Sequence, residues 1–347
     1  MEAERNLMQS QDTIVAEPLY NAARGIAYLP GESAARTRAL VQPAVTGRDP
    51  STVTLLDWAI THPGPGSIAR PLARMKPKEP QRREAEALLA SGRLIEAEKT
   101  YADTLAANPR QIDALLGLAV LKLQHQDGFG AQPLLLRCCS IAPNYPQAWD
   151  ALGLSLLLIG DHAAAESAFA EAQRIEPGIL DYALHRIKAA LAADTASAEL
   201  TRLELACLAN PLDPVAPTAK GVLLDHLGYR EDAICALLTA SALAPEAPRP
   251  AAILGGLLAR SHRGREAEKA LAHAITLDPD NAQLQNDRAT VLMRLHRHAE
   301  AKEALETLIH RDGPDVTALC NLANVTVSLG QQGTAVSLAR RAISIAP

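Results

Sequence analysis

The strongest constraint on this chain is a spacing. Proline recurs every 34 residues at Pro109, Pro143, Pro177, Pro211, Pro245 and Pro279, and the same step lands on Gly313, beside Pro314, and then on Pro347. Proline lacks a backbone N–H and its ring collides with the preceding helical turn, so a periodic proline ends the same element again and again. A chain built this way is a stack of like units that bury their apolar surface against one another.

Other positions recur with the same period when each proline is counted as place 32 of its unit. Place 20 is alanine at Ala97, Ala131, Ala165, Ala233, Ala267, Ala301 and Ala335, and place 27 is alanine at Ala172, Ala240, Ala274 and Ala342. Places 7 and 8 hold Leu118 and Ala119, Leu152 and Gly153, Leu254 and Gly255, Leu322 and Ala323. Small residues let two antiparallel helices approach, and leucine fills the space left between them. Glycine near place 15 (Gly92, Gly160, Gly228, Gly330) ends the first helix of a unit. Composition points the same way: 48% of residues are hydrophobic but only 3% aromatic, so the apolar surface is chiefly alanine and leucine.

The run "LSLLLI" at 154–159 looks at first like buried strand or membrane. It falls inside the first helix of the unit 146–179, where neighbouring units cover several sides and an apolar helix needs no bilayer.

Trp149, Leu152, Gly153, Ala165, Phe169 and Pro177 spell the pattern W-x2-L-G, A-x3-F, P, and on these residues the chain resembles the tetratricopeptide repeat family. The resemblance implies an all-α fold, a right-handed superhelical solenoid of antiparallel helix pairs. Its units span 78–111, 112–145, 146–179, 180–213, 214–247, 248–281, 282–315 and 316–347. Residues 1–77 lack the repeat and read as an N-terminal extension of loops and short helices. One of these helices, at 51–60, carries Leu55, Leu56 and Trp58 and is expected to cap the first unit.

The resemblance further implies a concave groove for a protein or peptide partner, lined by places 2, 5, 6, 9, 12 and 13 of the first helices. Its apolar half would hold Leu116, Val120, Leu123, Leu154, Leu157, Leu158, Leu184 and Leu191, with Asp150, His185 and Lys188 among them. Its polar half would hold Arg249, Arg260, Gln283, Asn286, Asp287, Arg294, Asn321 and Asn324. Packing between repeats is the competing reading of the leucines. A second feature is a basic ridge of Arg230, Arg260, Arg263, Arg265, Arg294 and Arg297, joined by His226, His262, His296 and His298. It suits an acidic segment or a phosphate, and equally a solvated surface.

Three departures predict local irregularity. The unit 180–213 has Asp194 at place 15 and Glu199 at place 20, predicting an irregular turn. Pro133 is compatible with a helix only in the first turn. Pro214, Pro217, Pro248 and Pro250 crowd the starts of two first helices, which are expected to begin late.

A net charge of −5 gives no general affinity for nucleic acid. No phosphate-binding loop, HExxH, GxSxG or dinucleotide fingerprint occurs, so no catalytic residue, cofactor or metal site is expected; "GFG" at 128–130 falls in a repeat turn. Five cysteines without a CxxC spacing read as buried thiols in a reducing compartment. With no leader and no run of about 20 apolar residues, a cytoplasmic chain without a membrane span is expected. The function read from these features is a non-catalytic interaction scaffold. Two alternatives stay open. One is the recognition region of a larger repeat-bearing glycosyltransferase or sulfotransferase, since 318–347 resembles repeats of the O-linked N-acetylglucosamine transferase type. The other is an assembly protein that associates with itself through its exposed last repeat, a homo-oligomer.

Overall fold

The computed structural model describes residues 93–345. The extension 1–77, its helix at 51–60, Gly92 and the first helix of the unit 78–111 lie outside the described residues. Every regular element among the described residues is an α-helix. In chain order they are α1 Leu94–Ala107, α2 Ile112–Gln124, α3 Gly128–Ile141, α4 Pro146–Ile159, α5 His162–Ile175, α6 Leu180–Ala192, α7 Ala196–Ala209 and α8 Val215–Leu227. There follow α9 Arg230–Leu243, α10 Pro248–Arg260, α11 Gly264–Leu277, α12 Ala282–Arg294, α13 His298–Asp312, α14 Val316–Ser328 and α15 Gln332–Ile345. From Leu94 to Gln332 the second helices start at a constant step, and of the first helices only α8 starts one residue late, behind Pro214.

The helices form two compact units, one ending at Leu223 and the other beginning at Leu224, inside α8. In the N-terminal unit each helix from α1 to α7 packs on the next, and α2 on α4 and α4 on α6. In the C-terminal unit the same holds from α9 to α15, with α10 on α12 and α12 on α14. Along each of these two runs a first helix therefore touches its own partner and the first helix of the following pair.

The close packing has the cause that the spacing predicts. Ala97, Ala131, Ala165, Ala233, Ala267 and Ala301 are wholly buried, so at place 20 there is no room for a larger apolar side chain. At place 8 a Cβ built on Gly153 would meet the Phe169 ring at 2.4 Å, so the ring of α5 sits directly against the α4 backbone. Trp149 at the start of α4 uses its indole differently: Nε1 donates to the Pro143 carbonyl at 2.8 Å, tying the helix to the preceding loop.

The turn at Asp194 is not irregular. Gln126, Gly160, Asp194, Gly228, His262, His296 and Gly330 all occupy place 15, and all have positive φ, between 58° and 96°. After each of them, the next N–H bonds the carbonyl five residues back, as in Thr195 N to Ala190 O at 2.8 Å and Asp161 N to Leu156 O at 3.0 Å. That bond satisfies an otherwise orphaned helix-end carbonyl, which holds non-glycine residues in a conformation they ordinarily avoid.

The proline expectations are corrected as well. α10 begins on Pro248 itself and contains Pro250, because first-turn N–H groups have no acceptor within the helix and their loss is not felt. Pro133 lies one turn deeper in α3 than the sequence reading allows. The carbonyl it would have bonded belongs to Phe129, which is 74% exposed and so open to water. Where Gly313 replaces the periodic proline, α13 runs to 15 residues and ends there with φ 87°.

Candidate partner-binding surface

Places 5 and 6 of the first helices do not face an open groove. Place 5 of one first helix meets place 6 of the next, so these side chains join repeats to each other. In the N-terminal unit Nδ1 of His185 on α6 lies 2.8 Å from Oδ1 of Asp150 on α4, both buried. In the C-terminal unit Asn321 Nδ2 donates to Asn286 Oδ1 at 3.3 Å, and buried Asn286 donates in turn to the Ala282 carbonyl at 3.2 Å. Places 12 and 13 behave alike: Arg260 pairs with Asp225, and Arg294 Nη1 donates to the Ala259 carbonyl at 3.1 Å.

Place 7, leucine in half of the units, is basic at Arg186, Lys220 and Arg288, and each of these cations finds a carboxylate on the preceding second helix. Arg186 lies 3.6 Å from Glu166, Lys220 lies 3.3 Å from Glu204, and Arg288 Nη2 lies 2.8 Å from Glu268. Glu199, the unusual residue at place 20, belongs to this set. Its fully buried carboxylate lies 3.2 Å from Arg186 Nε and accepts from Arg202 at 2.8 and 2.5 Å. Burial pulls the Arg186 pKa down despite the opposing charge of Glu199. Arg288 also borders an open cleft. Gln285, Arg288, Leu292, Glu303, Thr307 and Arg311 are among the residues lining this cleft of about 300 Å³. The signal for these pairs was present in the sequence as a broken leucine column, and the sequence reading passed over it.

The predicted groove residues therefore separate. Leu116, Val120, Leu184, Asp150, His185 and Asn286 are buried, so the wide apolar strip expected from the sequence is reduced by packing between repeats. Leu123, Leu154, Leu157 and Leu191 are half-buried, Leu158 is 43% exposed, and Lys188 is exposed beside them. In the C-terminal unit Arg249, Gln283, Asp287 and Asn321 are half-buried and Asn324 is exposed, while Asp287 accepts from Gln283 at 3.0 Å.

Several arginines of the basic ridge are paired with carboxylates. Arg263 donates twice to Glu266, at 2.8 and 2.6 Å, and reaches Glu231 at 3.3 Å. Arg297 donates to Glu300 at 2.7 and 2.5 Å. These hydrogen bonds hold the Glu266 and Glu300 carboxyls below their usual range. Arg260 and Arg294 are bound as described above, and Arg230 and Arg265 remain exposed. Cys138 and Cys139 are buried, which pushes both thiols up to about 12, but Cys235 and Cys320 are exposed, contrary to the uniform burial expected.

Among the described residues no helix is long and apolar enough to cross a membrane, and no group of three or more His, Cys, Asp or Glu is placed to hold a metal ion. Residues 146–179 and residues 258–322 each match a model of the tetratricopeptide repeat. These two stretches therefore carry tetratricopeptide repeats. Solved structures that the chain resembles include MamA, 20% identical with a TM-score of 0.42, covering 45% of this chain and 91% of that one. A second is the APC/C hetero-tetramer Cut9–Hcn1, 15% identical with a TM-score of 0.44, covering 76% of this chain and 52% of that one. A third is a tetratricopeptide repeat protein from Parabacteroides merdae, 15% identical with a TM-score of 0.43, covering 68% and 93%. No curated protein matches the chain.

Proposed function

We propose that the protein is a non-catalytic interaction scaffold and that its N-terminal unit receives an apolar peptide or amphipathic helix on the first helices α2, α4 and α6. The observation that carries this reading is the accessible remainder of the leucine strip. Leu123, Leu154, Leu157, Leu158 and Leu191 keep part of their surface open at places 9, 12 and 13 of three successive first helices. Apolar side chains scattered singly over a surface mean little, but contiguous ones mark a site where another chain removes them from water. Lys188, exposed among them, would set the polarity of the bound segment's edge. The C-terminal unit offers a polar counterpart at Asn324, Arg249 and Gln283, a surface suited to backbone and side-chain hydrogen bonds.

The test is recovery of a partner by the intact chain, repeated with Leu158→Asp. Leu158 is exposed enough for the variant to fold, so recovery should drop at least tenfold while the unfolding midpoint barely moves. Unchanged recovery would remove the leucines from the binding surface.

A further inference from the structure

The cleft on α12 and α13 gathers residues that depart from the repeat. Gln285 occupies place 4, where Leu115, Trp149 and Leu319 stand in other units, and Arg288 occupies place 7, where half of the units carry leucine. Glu303 occupies place 22, where no other unit has an acidic residue. Leu292, Ala304 and Leu308 give the cleft an apolar lining. At about 300 Å³ it stands at the small end of ligand pockets, with room for one long side chain and not for a helix.

The charges of the cleft leave one group unanswered. Arg288 Nη2 lies 2.8 Å from Glu268, Glu300 accepts from Arg297 at 2.7 and 2.5 Å, and Arg311 donates to Asp312 at 2.6 Å and to the Pro279 carbonyl at 2.5 Å. The exposed Glu303 carboxylate makes no hydrogen bond and no ion pair among the described residues. Three and four residues away on α13 stand Ala299, Glu300, Glu306 and Thr307, so its own helix supplies no cation. Lys302, next in the chain, serves Gln331 at 3.0 Å and Glu306 at 3.7 Å instead. Two more acceptors border the same space. The half-buried Gln285 side chain makes no hydrogen bond among the described residues, and the Thr307 hydroxyl, which donates to the Glu303 carbonyl at 2.8 Å, keeps its oxygen free to accept.

We propose that the α12–α13 cleft is a docking pocket for an arginine side chain of a partner polypeptide. An unpaired carboxylate, two neutral acceptors and an apolar wall call for a cation on an apolar stem. The guanidinium fork matches a carboxylate with two N–H groups and keeps donors for Gln285 Oε1 and Thr307 Oγ1, whereas a lysine ammonium is a point charge without that fork. The arginine methylenes lie along Leu292, Ala304 and Leu308. This pocket belongs to the C-terminal unit and is independent of the leucine strip on α2, α4 and α6.

The probe is a short, fluorophore-labelled alanine peptide, acetylated and amidated, with a single central arginine; a copy with citrulline at that position keeps the shape without the charge. Fluorescence anisotropy with the full chain should show the arginine peptide binding at least tenfold tighter, with the preference shrinking as salt is raised. Glu303→Gln should abolish the preference. Glu306→Gln removes the same charge from α13 outside the cleft and should leave the preference intact. Both glutamates are exposed, and circular dichroism checks that the helices persist. Leu158→Asp should also leave this binding unchanged, which separates the pocket from the leucine strip. Equal binding of the two peptides, no binding at millimolar peptide, or full binding by Glu303→Gln overturns the proposal. So do equal losses in Glu303→Gln and Glu306→Gln, because that outcome gives the attraction to the net negative charge of the chain.

Discussion

Nδ1 of His185 and Oδ1 of Asp150 lie 2.8 Å apart, joining two helix pairs through residues 35 positions apart in the chain. The Phe169 ring of α5 closes one side, with its centroid 5.4 Å from that of the imidazole. Burial presses the His185 pKa down, but the charge and hydrogen bond of Asp150 and the charge of Asp181 outweigh burial and the opposing Lys188, so the pKa stands above the ordinary 6.5.

A pH dependence follows from that direction. A raised folded pKa means that the pair's contribution is fully present below the unfolded value and is lost as pH rises through the folded value. Urea unfolding should therefore separate wild type from His185→Gln more widely at about pH 5.5 than at about pH 9, on either side of the histidine range. A gap that does not change with pH would place the stabilising effect in shape rather than charge.

Glu199 and Arg186 predict a loss and its rescue. Glu199→Ala leaves Arg186 half-buried beside Arg202 with one anion fewer, and removing one partner of a buried pair costs about 3 kcal/mol. The double variant Glu199→Ala with Arg186→Leu restores the alanine and leucine that most other units carry at those places, and it should recover most or all of that stability. Additive losses in chemical denaturation would show that the two residues are not coupled.

Gly153→Ala forces a methyl group against the Phe169 ring, at distances of 2.4 to 2.6 Å. Overpacking of this kind costs about 1–3 kcal/mol. Phe169→Leu in the same chain should relieve part of it, read as a partial return of the unfolding midpoint.

The left-handed turns predict gains. His262 and His296 have φ of 60° at the place where Gly160 has 90°. Replacing either histidine with glycine removes a Cβ penalty of about 1 kcal/mol, reduced by glycine's larger chain entropy. A small rise in melting temperature is expected for His262→Gly, and a fall for Gly160→Ala.

Much of the fold was legible because its signals are local and repeated. A proline, a small residue at place 8 and an alanine at place 20 each act within one helix pair, so their period alone sets the helix boundaries. The turn at Asp194 was misread because the sequence shows which residue prefers positive φ, whereas the backbone bond from Thr195 to Ala190 imposes it. The candidate surface was legible only in part. Leucines at places 5 and 9 look alike in the sequence, yet Leu184 is buried and Leu154 is half-buried.

The sequence by itself determined the repeating helix pair, its length and the small residues at which its helices touch, because these follow from chain stiffness and side-chain size at fixed intervals. Only the tertiary structure decided how each first helix is rotated against the next. That rotation buries His185 on Asp150 and ties Arg260 to Asp225. Helical periodicity defines a face but not the neighbour it meets, and a charge shows its partner only when both helices are in place.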